Sequence, residues 1–592
     1  MRMQLSQQAE AFLGKSELLI ITERVDDVAL LIGQMTTMGL PEILDRHIPR
    51  HWKQRGLSWG WTAVMWLAHI LTEGDHRKVS VETYVKGMKH TLSHLTAQVI
   101  EPLDCSDDRL GHLLTHLSTP TYWHRIEHDL HARSLEVYAL PQDVIRCDAT
   151  TVSGAHEVTE GGLWQFGQRK DDPTRPQITV MMGALDPLGM PLSTAVLSGE
   201  RAADGFYRPI MERLRTGLKA TGLLCVGDWK RSAWDTRAYL VEPHDFSLSP
   251  LPFTGTTPEA RAAWISKGRA TGKADELEEM VRLDDRGHEV LVAAGYEFER
   301  RCRVKDRTAT WTERVLVVRP PVHASHQAAG LEKRLTHAET TLAALTPPKG
   351  RGKRQITNEA TLLEAIKRVL KDQNVDGLLS VEWEKQVEQP THYGGRGRGA
   401  ASRPTRVIET IRSHITPITR HEDTIADRRQ RFGWKAFVTK ARHTRLSVQA
   451  AVLCYRNAYR VERVFHRLKS RVHIAPLCVK LNDHIEGLTS LLTLGVRVLT
   501  VTEFVLRRSL EQDQATLSGL HPEYKHKMTD KPTAERILKA FADVSLTIIK
   551  RTTGEDLLRR LTPLSGLQED ILQRLGLGAA LYGQLEIEGI RN

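Results

Sequence analysis

Cysteine is scarce and scattered. The six cysteines (Cys105, Cys147, Cys225, Cys302, Cys454, Cys478) show no paired ligand spacing. That excludes a simple zinc ribbon, offers no disulfide framework and points to a reducing cytosol. The stretch "MRMQLSQQAEAFLGKSELL" has no long apolar core and is not expected to act as a secretory leader. Long apolar runs are almost absent. The best, "LTSLLTLGVRVLTVTEFVL" from Leu488, is interrupted by Arg497 and Glu503, which reads as a buried helix rather than a membrane span. No internal repeat is visible.

What is present is positive charge. The 592 residues carry a net +11 and a pI near 9.3, with 26 histidines in addition. A hydrophobic fraction of 40% supports real cores, and the length predicts more than one domain. Between Thr391 and Arg445 there are 13 Lys and Arg against 4 Asp and Glu, so much of the excess sits in one tract. A localised basic footprint on a chain of this size predicts a polyanionic partner.

The patterning divides the chain into five segments. Residues 1–138 read as helical, with Trp59, Trp61 and Trp66 as core packing in "SWGWTAVMWLAHILTEG". Residues 139–253 read as mixed α/β. They hold a strand in "QDVIRCDATTVSG", a hairpin turning at "DPLG" (186–189), a helix from "DGFYRPIMERLRTGLKA" and a buried strand in "TGLLCVGDW". Residues 254–430 read as a β-rich and helical insertion containing the Gly-Arg loop "GGRGRG". Residues 431–510 return to helices, and 511–592 read as a helical C-terminal region.

Three carboxylates stand out. Asp148 follows the apolar start of a strand, and Asp228 ends another, where α/β sheets present side chains to a ligand crevice. Either could also serve as a turn or cap residue. The third is Glu462 in "YRNAYRVERVFHRLKS" (455–470), read as one helix. At 100° per residue Glu462 shares a face with Tyr455, Ala458, His466 and Lys469, while Arg456, Arg460 and Arg463 project elsewhere. The bland alternative is a solvated surface glutamate. Two strand carboxylates and one helix carboxylate suit a pair of Mg²⁺ ions, which take oxygen ligands and act on phosphodiesters by in-line displacement.

Tyr455, Glu462 and Lys469 match three positions of the Y-(2)-R-(3)-E-(6)-K signature, and the chain resembles DDE transposases of the insertion-sequence-four superfamily, in its long-transposase branch. "VIRCDATTVSG" and "LLCVGDWKRSAW" are similar to the strands carrying that family's two aspartates. The signature arginine falls on Ala458, and Gly199–Glu200 stands where relatives often have Gly-Asn.

The resemblance implies a ribonuclease-H-like α/β core, formed by 139–253 and 431–510. The β-rich 254–430 segment would interrupt it, and a helical DNA-binding domain at 1–138 would precede it. It implies Asp148, Asp228 and Glu462 as catalytic ligands of two Mg²⁺ ions, with Mn²⁺ able to substitute. The implied partner is double-stranded DNA, as terminal inverted repeats and target, bound by a homodimer or higher synaptic complex in the bacterial cytosol with no membrane role. Tyr455 and Lys469 are the implied DNA contacts, with His466 best placed to stand in for the missing arginine.

Arg428, Arg429, Arg431 and Lys435 are expected to meet phosphates. Arg396 and Arg398 of the Gly-Arg loop would enter a minor groove, or else belong to a solvated linker. Trp311 and Trp383 are expected in the core, with stacking on an unpaired base as the alternative. A nuclease of the same core without strand transfer, and a catalytically inactive transposase-derived DNA-binding protein, are the alternative functions.

Overall fold

The computed structural model describes residues 18–587 except 168–173, 202, 219–221, 229–233, 240–244, 252–256, 271–276, 285, 304–309, 349, 351–355, 394–404, 525 and 555. Nine strands form one mixed sheet: β1 (Val144–Ser153), β2 (Gln177–Leu185), β3 (Met190–Ser198), β4 (Leu224–Gly227), β5 (Phe246–Pro250), β6 (Glu278–Leu283), β7 (Glu289–Arg303), β8 (Thr310–Arg319) and β9 (Lys435–Thr439). Their spatial order is β3-β2-β1-β4-β5-β9-β8-β7-β6. Within the first five, β1, β2 and β3 pair antiparallel, while β1–β4 and β4–β5 are parallel. The two aspartates flank this change from antiparallel to parallel pairing.

The hairpin, the helix Tyr207–Leu218 and the short buried strand β4 form where the sequence pattern placed them. The 254–430 segment divides in two. Its strands β6–β8 extend the same sheet, because β9 pairs antiparallel with both β5 and β8. Its helices Pro321–Leu345 and Glu359–Asp372 pack with the paired strands Leu379–Glu388 and Thr410–Arg420 around a separate core containing Leu331, Leu335, Ile366 and Ile415.

Alternation along β1 sends its side chains to two different cores. Cys147 points to the face covered by the helix Tyr207–Leu218, its Sγ 3.6 Å from Met211 Sδ. Arg146, on the other face, reaches the Cys454 carbonyl at 2.6 Å. Cys454 lies on α1 (Val448–Arg456), which starts at a Ser447 cap and covers Leu224, Val226 and Leu248. Asp148 lies two residues beyond Arg146 and shares its face.

Besides β9, a strand at the start of the 431–510 segment expected to be helical, three expectations need correction. The N-terminal segment is not wholly helical: Leu18–Arg24 is a strand. The C-terminal region is not wholly helical either, since Ser545–Arg551 pairs with Leu18–Arg24 and with Asp556–Leu561 in a three-stranded sheet. Both "LLIITER" and "SLTIIKR" are rich in β-branched residues that suit a pleated, half-buried surface. The third correction concerns the 455–470 stretch, which is two helices. α1 ends at Arg456, Asn457 and Ala458 form a turn, and α2 runs Tyr459–Ser470.

The long apolar stretch is α3 (Asn482–Gln512), the one candidate span by length and composition among the described residues, with 89% of its apolar window buried inside the protein. Arg497 within it donates to the Pro191 and Leu192 carbonyls at 3.0 Å each. Gly487 lets α3 press against the neighbouring helix, because a Cβ there would stand 2.1 Å from the Leu114 carbonyl oxygen.

Candidate active site

Asp148 and Asp228 leave neighbouring parallel strands side by side. Cys147 is paired with Gly227 in the register, so the next residue on each strand is an aspartate. Adjacent strands lie about 4.8 Å apart, which sets the spacing of the two backbones. Asp228 sits just past the carboxyl end of β4 and accepts a hydrogen bond from the Tyr207 hydroxyl at 2.8 Å. Asp148 Oδ1 accepts from the Ala149 amide at 2.8 Å.

Tyr455, near the end of α1, joins these acids to the third. Its ring packs on Phe437 of β9, centroids 4.7 Å apart. Burial raises the Tyr455 pKa, and the charges of Asp228, Asp148 and Glu462 raise it further. A phenol so placed stays protonated and can donate a hydrogen bond. Tyr455 thus lies within electrostatic reach of Asp148, Asp228 and Glu462. Among the described residues, no three His, Cys, Asp or Glu side chains form a group that could hold a metal ion.

The break at Asn457–Ala458 changes how Glu462 is presented. It places Glu462 in the first turn of a new helix, exposed, where the helix dipole favours a carboxylate. Ala458, at the signature arginine's position, becomes the residue before α2 and offers no side-chain cap. The arginines nearby are engaged elsewhere. Arg456 donates to the Val292 carbonyl at 3.2 Å, Arg460 pairs with Asp186 at 3.3 Å, and Arg463 pairs with Glu503 at 2.7 Å. Arg467 is held by Glu503 and, at 3.1 Å, by Glu535. Among the described residues Glu462 makes no ion pair, so it is not a surface partner for these arginines.

His466 and Lys469 are exposed on α2; the His466 Nδ1 lies 3.0 Å from Ser470 Oγ within the same helix. The basic tract is arranged otherwise than its composition implies. Arg428 donates to Asn374 Oδ1 at 3.1 Å, Arg429 pairs with Glu332 at 2.9 Å and Arg431 pairs with Asp427 at 2.7 Å. Lys435 is half-buried on β9, its pKa lowered by burial and by the charge of Arg456. Arg396 and Arg398 lie outside the described residues. Trp311 is buried beside Cys302, its Nε1 3.2 Å from Glu313 Oε2, and Trp383 packs against the separate core of the 254–430 segment.

Two residues beside the site were not singled out in the sequence. Arg146 is buried at 2% exposure and bonded to Asp186 at 2.7 Å, and among the described residues its Nε and Nη1 have no hydrogen-bond partner. Its signal was available: it precedes Asp148 by two residues on a strand and so shares its face. Tyr207, which orients Asp228, opens an amphipathic helix and carries no local signal.

No protein-family model matches the chain, and no curated protein does. Among solved structures the chain is similar to a piggyBac transposase in a synaptic complex with hairpin DNA, at 9% identity and a TM-score of 0.26. That match covers 50% of this chain and 59% of the other, a likeness too distant to add to what the residues themselves show.

Proposed function

We propose that the protein is a DNA transposase that cuts the 3′ ends of its element at terminal inverted repeats and joins them to target DNA. The observation that carries this reading is the placement of Asp148 within β1 and Asp228 at the end of β4, parallel neighbours whose preceding residues Cys147 and Gly227 pair. The strand order of β1–β5, three antiparallel strands followed by two parallel ones, supports a ribonuclease-H-like core.

In this structure the three carboxylates do not stand as one metal-holding group; their chemistry, all oxygen, is that of Mg²⁺ or Mn²⁺ ligands completed by substrate phosphate oxygens. Asp148 and Asp228 would hold such ions, with Glu462 as the third ligand. When bound, they supply activation of an attacking hydroxyl and neutralise charge at the leaving oxygen. The Tyr207 hydroxyl fixes the Asp228 carboxylate, and protonated Tyr455 donates to a phosphate oxygen of the strand being cut. Lys469 and His466 extend the phosphate track along the exposed side of α2. A homodimer or larger synapse would bring two DNA ends to one target.

The test supplies purified protein with pre-cut ends bearing a free 3′-hydroxyl, a supercoiled target plasmid and Mg²⁺. Joined products are expected. Cleavage of uncut ends without joining would replace this reading by a nuclease of the same core. One observation favours a second reading, a transposase-derived DNA-binding protein without catalysis: Ala458 stands at the helix break in place of the signature arginine. Such a protein would bind DNA with strong salt dependence and cut none in Mg²⁺ or Mn²⁺.

A further inference from the structure

The helices Leu40–His47 and Trp59–Glu73 are joined by a loop, "PRHWKQRGL" (49–57), whose chemistry the candidate site does not use. No Asp or Glu lies between Asp45 and Glu73, so the loop's cations have no acid of their own stretch to pair with. The ion pairs nearest the loop in sequence are those of Arg46 and His47 with Asp129. Among the described residues Lys53 and Arg55 make none, and both are exposed. At the tip Trp52 is 82% exposed, with Lys53 Nζ 4.9 Å from its ring centroid. Among the described residues Trp52 is the most exposed of the large hydrophobic side chains, whereas the flanking helix buries Trp59 and Trp66.

The loop is held in shape. Arg50 donates to the Gly56 carbonyl at 2.8 Å and the Gln54 carbonyl at 3.2 Å. Arg109 donates to the Arg55 carbonyl at 2.9 Å and also to that of Leu57. Buried Asp104 accepts from the Leu57 amide at 2.9 Å. Gly56 has φ +77°, and a Cβ there would stand 1.8 Å from Asp104 Oδ1, so the turn admits only glycine. A preorganised tip loses little entropy when it binds.

We propose that this loop is a DNA-contacting tip, in which Lys53 and Arg55 meet backbone phosphates and Trp52 stacks on a base. The pairing of unneutralised cations with one projecting aromatic suits a nucleic acid, which offers phosphates and π-faces at short spacing. A membrane surface would call for a continuous apolar face, whereas the flanking helices turn their apolar residues inward. The inference rests on the DNA reading above and names the contacting residues within the 1–138 segment that the resemblance assigns to DNA.

The test measures affinity of the full-length protein for a labelled duplex, for the same sequence single-stranded, and for anionic phosphatidylserine vesicles, over a range of salt. Lys53→Gln with Arg55→Gln should lower the slope of log affinity against log salt by about 2. Trp52→Ala should weaken DNA binding roughly 5- to 150-fold without changing that slope, and Trp52→Tyr should restore most of the loss. An unchanged thermal midpoint for the Trp52 variants would show that folding is intact. If the wild type binds DNA and these variants bind equally well, the loop inference falls and the functional reading stands. Loss of vesicle binding with unchanged DNA affinity overturns the inference in favour of a membrane surface. A wild type that binds no DNA overturns both.

Discussion

Arg428, Arg429 and Arg431, on and just after the helix Glu422–Gln430, belong to the most basic tract of the sequence; Lys53 and Arg55 belong to a short loop that bulk charge does not single out. In the folded chain their situations are reversed. The first three are occupied by Asn374, Glu332 and Asp427, while the loop cations make no ion pair among the described residues. The arginines around Glu462 follow the first pattern, tied to Asp186, Glu503 and Glu535. Net charge along a sequence therefore locates cations without saying which are available to a partner. Availability depends on partners that folding brings near, such as Glu332 for Arg429, as well as on local ones, such as Asp427 for Arg431.

This contrast can be broken or sharpened by substitution. The largest effect is expected at Glu503, which is nearly buried and serves Arg463, Arg467 and Arg507 together with the Ala534 amide. Glu503→Gln leaves Arg463 and Arg507 without a carboxylate and buried Arg467 with Glu535 alone, and should cost about 3 kcal/mol, read as a shift in the denaturant midpoint. A cost near zero would mean that these arginines are not held by Glu503, and the contrast would lose its basis.

A smaller, pH-dependent effect is expected at Lys435. Burial and Arg456 lower its folded pKa below 10.5, so the unfolded chain binds more protons across the alkaline window just under that value. Stability should gain from this residue as pH rises through that window. Lys435→Met should remove that gain, as checked by melting at a series of alkaline pH values.

The smallest effect is expected at the paired tract. Arg429→Gln with Arg431→Gln should leave DNA affinity within about twofold and the salt slope unchanged, since exposed pairs are worth little and these cations are already engaged. A slope lowered by about 2 would instead make this tract a phosphate surface and erase the comparison.

Much of the sheet was legible because its signals are local. Alternation in "VIRCDATTVS", the "DPLG" turn and the short apolar run before Asp228 each specify an element from neighbouring residues. The two strand aspartates were legible for the same reason. The break at Asn457–Ala458 was not, because "YRNAYRVERVF" contains no proline or glycine. The two helices have different anchors: Arg456 to Val292 and Tyr455 to Phe437 on one side, Arg460 to Asp186 on the other. The pairing of Leu18–Arg24 with Ser545–Arg551 joins segments from opposite ends of the chain, so no sequence window contains both partners. The captured arginines were hidden likewise, since Glu332 and Asn374 lie far from them in sequence.

The central claim is that the carboxylates gathered around Tyr455 cut DNA with divalent ions. The most direct measurement is single-turnover cleavage of an inverted-repeat end in Mg²⁺ and in Mn²⁺ by Asp228→Asn beside the wild type. Asparagine keeps an oxygen for the Tyr207 hydroxyl and removes the charge that a cation requires. The account predicts that cleavage is lost in both metals while DNA affinity is retained. Cleavage by Asp228→Asn at the wild-type rate would contradict it.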